Sequence, residues 1–273
     1  MDLRPREARF AANGTVRLHY RVNGQGPLLL FLHGIPGFWN CWSHQLDALG
    51  AKARVAAMDL RGFNLSDHPT EVRAYRLPEL VGDVVAVLRD LGGAPATLIG
   101  HDWGALIAWW VAISHPQMLE RLAVLAAPHP LAYLAARDAG DLTYSQNFRE
   151  QILEAPPGAP FDADRISAVV SDDAARAELA AALRRSDPEA IRNYYRANLP
   201  APRIDRVAPV QAPTLILYGA EDRFIPPRYY ALSAEHVAAP CERVAIPQAG
   251  HFLHMEAAEL VTAALTRWLD QTV

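Results

Sequence analysis

The sequence predicts an α/β protein with a mostly parallel sheet and helices on both of its faces. Short continuous apolar runs, typical of strands buried in parallel sheets, alternate with segments of helical length. The alternation stops near residue 130 and resumes near residue 210. With 273 residues, 51% of them hydrophobic, the chain can form one sizeable core with an inserted subdomain.

Six strands and two helices are predicted before residue 130. Residues 9–22 contain two strands joined by Asn13-Gly14, a dipeptide typical of hairpin turns. The other four strands are the apolar runs at 27–33, 54–60, 97–100 and 121–128. A helix is predicted at 78–91, and a second at 105–115 is apolar nearly all round, so we expect it to be buried.

The rest of the chain predicts an insertion and the end of the sheet. Residues 130–210 lack an apolar strand run, are rich in Ala, Arg, Asp, Glu and Pro, and predict several short helices. Strands at 212–219 and 242–247 and a helix at about 256–270 follow. We therefore expect one α/β core made of residues 1–129 and 211–273, interrupted by a helical segment at 130–210.

Composition narrows the classes of function. A formal net charge of −4 without a basic patch argues against a nucleic-acid partner. The sequence shows neither an apolar stretch long enough to cross a bilayer nor an apolar segment near residue 1, which argues against a membrane protein or a signal peptide. Cys41 and Cys241 are too few and too far apart for a disulfide framework or a zinc pattern, and so favour a cytoplasmic location.

The loops after the predicted strands contain the candidate chemistry. Ligands of such sheets bind at the carboxyl ends of the strands. The loops there are HGIPG at 33–37, DLRG at 59–62, GHDWG at 100–104, GAEDRFIPP at 219–227 and AGHF at 249–252. Asp102 is the centre of the third loop. An Asp before a helix is also a common N-cap, but a cap does not need glycine on both sides.

In this order the loops resemble those of the α/β-hydrolase family, over nearly the whole chain outside the insertion. Gly-x-Asp-x-Gly matches the family's nucleophile elbow with Asp in place of Ser. The resemblance implies an α/β-hydrolase fold, with a mostly parallel eight-stranded sheet, flanking helices and an inserted helical cap. It also implies that His251 is the general base and that Asp222, with Glu221 as a weaker candidate, orients it. The loop Ala126-Ala127-Pro128, where some relatives place this acid, has no carboxylate.

A carboxylate nucleophile indicates displacement at saturated carbon. It is already ionised at neutral pH, and attack on an acyl group would produce only an anhydride. Attack on an sp³ carbon forms an alkyl ester that water can cleave, with His251 activating the water. Asp102 thus argues against a serine-type esterase and favours an epoxide or a haloalkane as substrate. A binding protein with a hydrolase-like fold is the non-enzymatic alternative. Such proteins often lack a member of the catalytic triad of nucleophile, base and acid, whereas this chain keeps all three.

The leaving group distinguishes the two substrates. Haloalkane dehalogenases usually bind the departing halide with two N–H donors. Trp103 matches the first donor. The second is typically an Asn at the position of Ile35 or a Trp of the cap, and residues 130–210 contain no Trp. Epoxide hydrolases use two cap tyrosines as proton donors. TYSQNF at 143–148 and NYYR at 193–196 resemble their segments, which suggests Tyr144 and Tyr195, although the usual Phe-Gln-x-Pro-Gly is degraded here. Packing is the alternative role for both tyrosines, as for Tyr133 and Tyr194.

The resemblance therefore identifies the chain as an epoxide hydrolase, with haloalkane dehalogenase as the alternative. It implies an oxyanion hole made of the backbone N–H groups of Ile35 and Trp103 and a cis peptide before Pro36. The expected pocket residues are His33, Pro36, Trp39 and Phe252, with Trp42 in the same wall. His254 is expected to be structural, because no carboxylate or cysteine cluster accompanies it. No cofactor and no metal are expected, the partner is a small-molecule epoxide, and the chain is a monomer or a homodimer.

Overall fold

The computed structural model describes residues 6–93, 95–156, 158–160, 162–168, 173–198 and 207–271. The strands are β1 (Glu7–Asn13), β2 (Val16–Asn23), β3 (Leu28–Leu32), β4 (Arg54–Met58), β5 (Ala96–His101), β6 (Leu119–Leu125), β7 (Thr214–Gly219) and β8 (Cys241–Ile246). The α-helices are α1 (Ser43–Leu49), α2 (Leu77–Asp90), α3 (Trp103–Ser114), α4 (Pro130–Asp138), α5 (Thr143–Glu154), α6 (Ala163–Ser167), α7 (Asp173–Arg185), α8 (Pro188–Asn198), α9 (Arg228–Ala234), α10 (Leu253–Glu256) and α11 (Ala258–Leu269).

The eight strands form one sheet in the order β1-β2-β4-β3-β5-β6-β7-β8. The β1–β2 hairpin is antiparallel and pairs antiparallel with β4. All other neighbouring strands run parallel. The predicted mostly parallel, eight-stranded α/β fold is confirmed, and the carboxyl ends of β3, β5, β7 and β8 lie at the same edge of the sheet.

The sheet separates two hydrophobic cores. Along β3, Leu28, Leu30 and Leu32 enter one core, whereas Leu29 and Phe31 enter the other. The first core is covered mainly by α2 and α3, and the second by α1 and α11. Because successive side chains of a strand point to opposite faces, strands covered on both faces have continuous apolar runs.

The end of the chain differs from the prediction in one detail. The closing helix expected at about 256–270 is present as α11, and the short helix α10, which the sequence did not predict, precedes it. Ala257 separates the two helices, with an extended φ of −131°. A change of backbone direction without Gly or Pro leaves no sequence signal, so the apolar periodicity alone did not reveal it.

Helices α4 to α8 lie between β6 and β7 in the chain, and α7 and α8 are joined to the loops after β4. The Tyr194 hydroxyl donates to the carbonyl of Arg61 over 2.8 Å. The backbone N–H of Asn64 donates to the Ser186 hydroxyl over 3.0 Å, and that of Leu77 donates to the Asn198 amide oxygen over 2.9 Å. These contacts hold α8, which contains Tyr195, against the α/β core.

In the described part of the chain, none of the helices is both long and apolar enough to cross a bilayer.

Candidate active site

Asp102 lies at a sharp turn between β5 and α3. Its backbone has φ 49° and ψ −118°, a conformation that non-glycine residues rarely adopt. A Cβ on Gly100 would lie 2.5 Å from the carbonyl oxygen of Gly104, and a Cβ on Gly104 would lie 2.4 Å from that of Leu32. Only glycine fits at both positions, which explains why the motif has glycine on either side of the turn.

The Asp102 side chain does not cap helix α3, although the residue occupies the N-cap position. Its Oδ1 accepts a hydrogen bond from the backbone N–H of Ile35 over 2.8 Å, and 24% of the side chain is exposed. The N-cap alternative is therefore wrong for this carboxylate. One oxygen is held by the HGIPG loop, and a small molecule has access to the carboxylate.

His251 lies between two carboxylates at the ends of β5, β7 and β8. Its Nε2 is 3.5 Å from Asp102 Oδ2, and its Nδ1 is 3.0 Å from Asp222 Oδ2. The Phe224 ring packs on the imidazole with a centroid separation of 4.4 Å. The structure thus brings together the three residues that the sequence suggested, in the order carboxylate, imidazole, carboxylate.

The two carboxylates favour the charged form of His251. Burial alone would lower the pKa of the ring, but the hydrogen bonds and negative charges of Asp102 and Asp222 raise it to about 10. Burial likewise opposes ionisation of Asp102, but the hydrogen bond and charge of His251 outweigh it, so the pKa of Asp102 lies below its usual range. The resting site therefore holds an ionised Asp102 beside a protonated His251.

Asp222 is better placed than its neighbour to orient the imidazole. Its side chain is 1% exposed, and its Oδ1 accepts the backbone N–H of Phe224 over 2.7 Å. Glu221 is exposed at the surface. The weaker candidate for the acid is therefore not in the position from which it could hold His251.

Two residues to which the sequence analysis gave no role hold the backbone of His251. The Glu256 carboxylate accepts the N–H groups of Gly250 and Phe252, over 2.5 and 3.1 Å. On the other side, Nε2 of His101 is 2.9 Å from the carbonyl oxygen of His251. A Glu at the start of a helix that accepts upstream N–H groups is a known capping pattern, so the spacing of Glu256 could have revealed its contact. The contact of His101 joins distant loops and has no local signal.

The HGIPG loop packs directly on the elbow. A Cβ on Gly34 would lie 2.5 Å from the Cβ of Asp102, and the Ile35-Pro36 peptide is cis, as expected. His33 is fully buried. Its Nε2 accepts the N–H of Leu60 over 2.9 Å, and its Nδ1 is 2.8 Å from the carbonyl oxygen of Gly34. His33 therefore supports the loop, which corrects its assignment to the pocket.

The aromatic residues expected in the pocket lie in three different environments. Trp42 is fully buried and packs against Phe31 and His254, so it belongs to the core and not to a pocket wall. The guanidinium groups of Arg6 and Arg21 lie over the Trp39 ring, 5.6 and 5.4 Å from its centroid. Phe252 packs edge-on against His251, with centroids 5.4 Å apart, and is the aromatic of this group beside the triad.

Three of the four tyrosines in the helical segment, Tyr144, Tyr194 and Tyr195, also differ. The Tyr195 ring contacts the Trp103 ring edge-on, with centroids 5.3 Å apart, and is half-buried. Burial and the negative charge of Asp102 raise the pKa of Tyr195, which keeps its hydroxyl protonated. Tyr194 is fully buried and bonded to the core. Tyr144 is part of α5, but its side chain lies outside the part of the structure that is described.

No cluster of three or more His, Cys, Asp or Glu side chains that could hold a metal is present among the described residues. His254 is fully buried between the rings of Trp42 and His101, with centroids 4.4 and 4.3 Å away. Burial and the nearby histidines hold its pKa well below its ordinary value. These contacts fit the structural role expected for His254.

Comparisons with known proteins agree with the fold. The family described as alpha/beta hydrolase fold matches residues 27–258. Epoxide hydrolase 4 of Mus musculus is 43% identical over 120 residues, which are 43% of this chain and 33% of that protein. Epoxide hydrolase 3 of Xenopus tropicalis is 29% identical over 277 residues, which cover 94% of this chain and 75% of that protein.

A solved structure gives the same result for the fold. The crystal structure of a Bacillus megaterium epoxide hydrolase in complex with an inhibitor superposes with a TM-score of 0.85 and 24% identity, covering 96% of this chain and all of that chain. The match to the mouse protein spans only a third of its length, so it does not carry that protein's activity over to this chain. The family match over residues 27–258, together with the order of the strands, shows that this chain belongs to the alpha/beta hydrolase fold family.

Proposed function

We propose that this protein is an epoxide hydrolase, which converts an epoxide and water into a vicinal diol. The observation that carries the proposal is an ionised carboxylate, Asp102, at the elbow of an alpha/beta hydrolase fold beside the His251–Asp222 pair. The similarity to proteins named epoxide hydrolases supports it.

In the proposed first step, Asp102 attacks an epoxide carbon and forms an alkyl ester. Oδ1 is bonded to the Ile35 N–H, so Oδ2, on the side of His251, is the attacking oxygen. Ring opening leaves negative charge on the epoxide oxygen. We assign donation of the proton that this oxygen requires to Tyr195, with Tyr144 from α5 as the second donor, because an ordinary phenol is protonated at neutral pH.

In the second step, water cleaves the ester at its carbonyl carbon. Oδ1 is then the carbonyl oxygen, and the N–H groups of Ile35 and Trp103 stabilise the oxyanion that forms on it. The esterified Asp102 has no charge, so one of the two causes that raise the pKa of His251 is gone. As its pKa falls, the ring releases its extra proton to solvent, and the neutral imidazole then accepts a proton from the attacking water while Asp222 keeps it oriented.

We also propose that residues 130–210 act as a cap over Asp102, with Pro36 and Phe252 in the pocket beneath it. The enzyme uses no cofactor and no metal, works in the cytoplasm on small molecules, without a nucleic-acid or membrane partner, and is a monomer or a homodimer.

The test offers the enzyme styrene oxide, 1,2-epoxyhexane, 1-chlorohexane and 1-bromohexane, and measures both diol and halide. We expect diol from the epoxides and little halide. Halide release without diol would support the alternative, a haloalkane dehalogenase. His251→Gln tests the covalent step: it should form an ester and hydrolyse it very slowly, so intact-mass analysis should find one substrate added on the peptide that contains Asp102. Asp102→Ala is the matched control and should stay unmodified.

A further inference from the structure

The loop after β4, residues 59–67, contacts both halves of the candidate site. We call it the bridging loop. On one side, the Asp59 carboxylate accepts the N–H of Trp39 over 2.9 Å, two residues beyond the HGIPG loop. On the other side, the bridging loop contacts the junction of α7 and α8, residues 185–187. It therefore connects the HGIPG loop to the helix that carries the proposed proton donor.

Asn64 bonds to both sides at once. Its Nδ2 donates to Asp59 Oδ2 over 2.8 Å, and its backbone N–H donates to the Ser186 hydroxyl over 3.0 Å. Its Oδ1 accepts Nε and Nη2 of Arg185 over 2.9 and 2.8 Å. Asn64 is 5% exposed and Asp59 is fully buried. One short side chain thus joins a buried carboxylate of the core to a guanidinium of the helical segment.

The turn alone does not explain why this residue is asparagine. The backbone at Asn64 has a φ of 46°, a region that favours Gly, Asn and Asp. Glycine would form the turn without any side-chain bond, and an aspartate would face Asp59 with a second carboxylate. Asparagine combines this backbone with a donor for Asp59 and an acceptor for Arg185. The side chain therefore has a role beyond the turn.

The contacts at the junction determine where α8 begins. The N–H of Asp187 donates to the carbonyl of Gly62 over 3.3 Å, and a Cβ on Gly62 would lie 2.6 Å from that of Ala190. The first turn of α8 therefore lies directly on the bridging loop. Tyr195 is seven residues beyond Pro188, about 10 Å along the helix axis. A displacement of the first turn is therefore transmitted to Tyr195.

The proposed ring opening depends on the exact position of Tyr195. Its ring contacts Trp103, the residue after Asp102, with centroids 5.3 Å apart. Proton donation requires hydrogen-bonding distance to the epoxide oxygen while the epoxide carbon lies against Asp102. An error of about 1 Å in such an arrangement can slow a reaction by about 10²-fold.

We propose that Asn64 is a positioning residue for ring opening: it fixes the start of α8 and so holds the Tyr195 hydroxyl at the distance from Asp102 that proton donation requires. This inference rests on the proposed function and adds a residue that touches neither the substrate nor the triad.

The main test is Asn64→Gly, which keeps the positive φ and removes the bonds to Asp59 and Arg185. Single-turnover kinetics with styrene oxide would follow ester formation and ester hydrolysis separately. We expect alkylation to slow by about 10- to 100-fold, and by no more than in Tyr195→Phe. Ester hydrolysis should be unchanged, because His19 and Trp39 still hold Asp59 and the triad is not displaced.

A milder variant covers the case in which Asn64→Gly does not fold. Arg185→Ala removes an exposed side chain and both of its bonds to Asn64 Oδ1, so it should slow alkylation in the same direction by a smaller factor. The matched control is Arg184→Ala. It removes an equal charge from α7, where Arg184 pairs with Asp164 at the surface, and should behave as wild type.

A double variant tests whether Asn64 acts through the tyrosine. If it does, Asn64→Gly/Tyr195→Phe should be alkylated at the rate of Tyr195→Phe alone, because the hydroxyl that Asn64 positions is already absent. Independent effects would instead multiply.

A further measurement does not depend on turnover. The nuclear Overhauser effect between the ring protons of Tyr195 and Trp103 reports the contact of α8 with the elbow. It should weaken in Asn64→Gly and in Arg185→Ala and stay at the wild-type level in Arg184→Ala.

Three results would overturn the inference: equal slowing of alkylation and ester hydrolysis in Asn64→Gly, multiplied losses in the double variant, or an unchanged ring contact in Asn64→Gly. Failure of wild type to be alkylated by any epoxide would count against the proposed function. The ring contact would still decide whether Asn64 positions Tyr195.

Discussion

The loops that carry Asp102, Asp222 and His251 differ from the helical segment that carries the tyrosines in how they are held. The loops are joined to the core and to one another partly by backbone–backbone hydrogen bonds: the N–H of Asp102 donates to the carbonyl of Leu125, and the N–H of Glu221 donates to that of Ala249, each over about 3 Å. The helical segment is joined to the core mostly through side chains, such as those of Tyr194, Ser186 and Asn198.

This difference in how the two regions are held predicts which residues of the site move when neighbouring side chains are substituted. Backbone bonds do not depend on side-chain identity, so the parts of the triad loops that they hold should tolerate changes in neighbouring side chains, whereas the contacts of Glu256 and His101 around His251 would be lost. The tyrosines depend on particular side chains, so this half of the site can change its donors and its substrate contacts without disturbing the triad.

Asp222→Asn should reduce ester hydrolysis by about 10⁴-fold, as loss of the orienting acid does in other triads. The alkylation step should be much less affected, because His251 has no role in it. Single-turnover kinetics that follow ester and diol separately would measure both steps. The matched control is Glu221→Gln, an exposed neighbour, which should behave as wild type. Equal loss in the two variants would mean that the acid was assigned wrongly.

Tyr195→Phe should slow ester formation, and the Tyr144→Phe/Tyr195→Phe double variant should slow it further, by about 10²–10⁴-fold in total. The reason is that the opening oxygen loses its proton donors while the triad stays intact. The measurement is the single-turnover rate of alkylation. A double variant alkylated at the wild-type rate would show that another group protonates the oxygen.

Asp102→Asn should lower the pKa of His251, because it removes one of the two negative charges that raise it. A decrease of about one to three pH units is expected, the usual effect of one nearby opposite charge. The raised pKa stabilises the wild-type fold fully below the ordinary value of 6.5, and this stability is lost as the pH rises to about 10. In Asp102→Asn, this contribution to stability should be lost completely at a lower pH than in wild type. An NMR titration of His251 and unfolding curves between pH 6 and 10 would test both expectations, and an unchanged pKa would contradict the ion pair.

Gly104→Ala should destabilise the fold by about 1–3 kcal/mol and abolish activity, because its Cβ would collide with the carbonyl of Leu32. Gly140→Ala provides the contrast. That position has a positive φ of 75° but nothing within 4 Å of the added Cβ, so the cost is backbone strain of about 1–2 kcal/mol and activity should remain. Thermal unfolding and diol formation would be compared, and an active Gly104→Ala would show that the elbow tolerates displacement.

Tyr194→Phe should have the smallest effect, a loss of about 1 kcal/mol in stability, as expected for one buried hydrogen bond. It removes the bond to the carbonyl of Arg61 but leaves the ring in place. Alkylation should slow much less than in Tyr195→Phe. A rate loss as large as that of Tyr195→Phe would mean that this bond alone positions α8.

The α/β class, the order of the strands and the residue types of the triad could all be predicted from the sequence. Parallel strands buried on both faces have continuous apolar runs, and a turn with no room for a Cβ requires glycine, so both features leave local signals at Leu28–Leu32 and at Gly100 and Gly104. The carboxylate at residue 102 also carries its own chemical meaning, because its charge at neutral pH does not depend on the fold.

The tertiary structure alone decided where side chains point and what they contact. His33 and Trp42 belong to candidate loops by sequence, yet both are buried and support the core. In the sequence, the position of Asp102 before helix α3 fits either an N-cap or a nucleophile. The structure shows that its carboxylate accepts the N–H of Ile35 and does not cap the helix. The contact of His101 with the carbonyl of His251 follows the same rule. The physical reason is that these contacts join segments distant in sequence, or depend on the direction of one side chain, and neither leaves a periodic pattern along the chain.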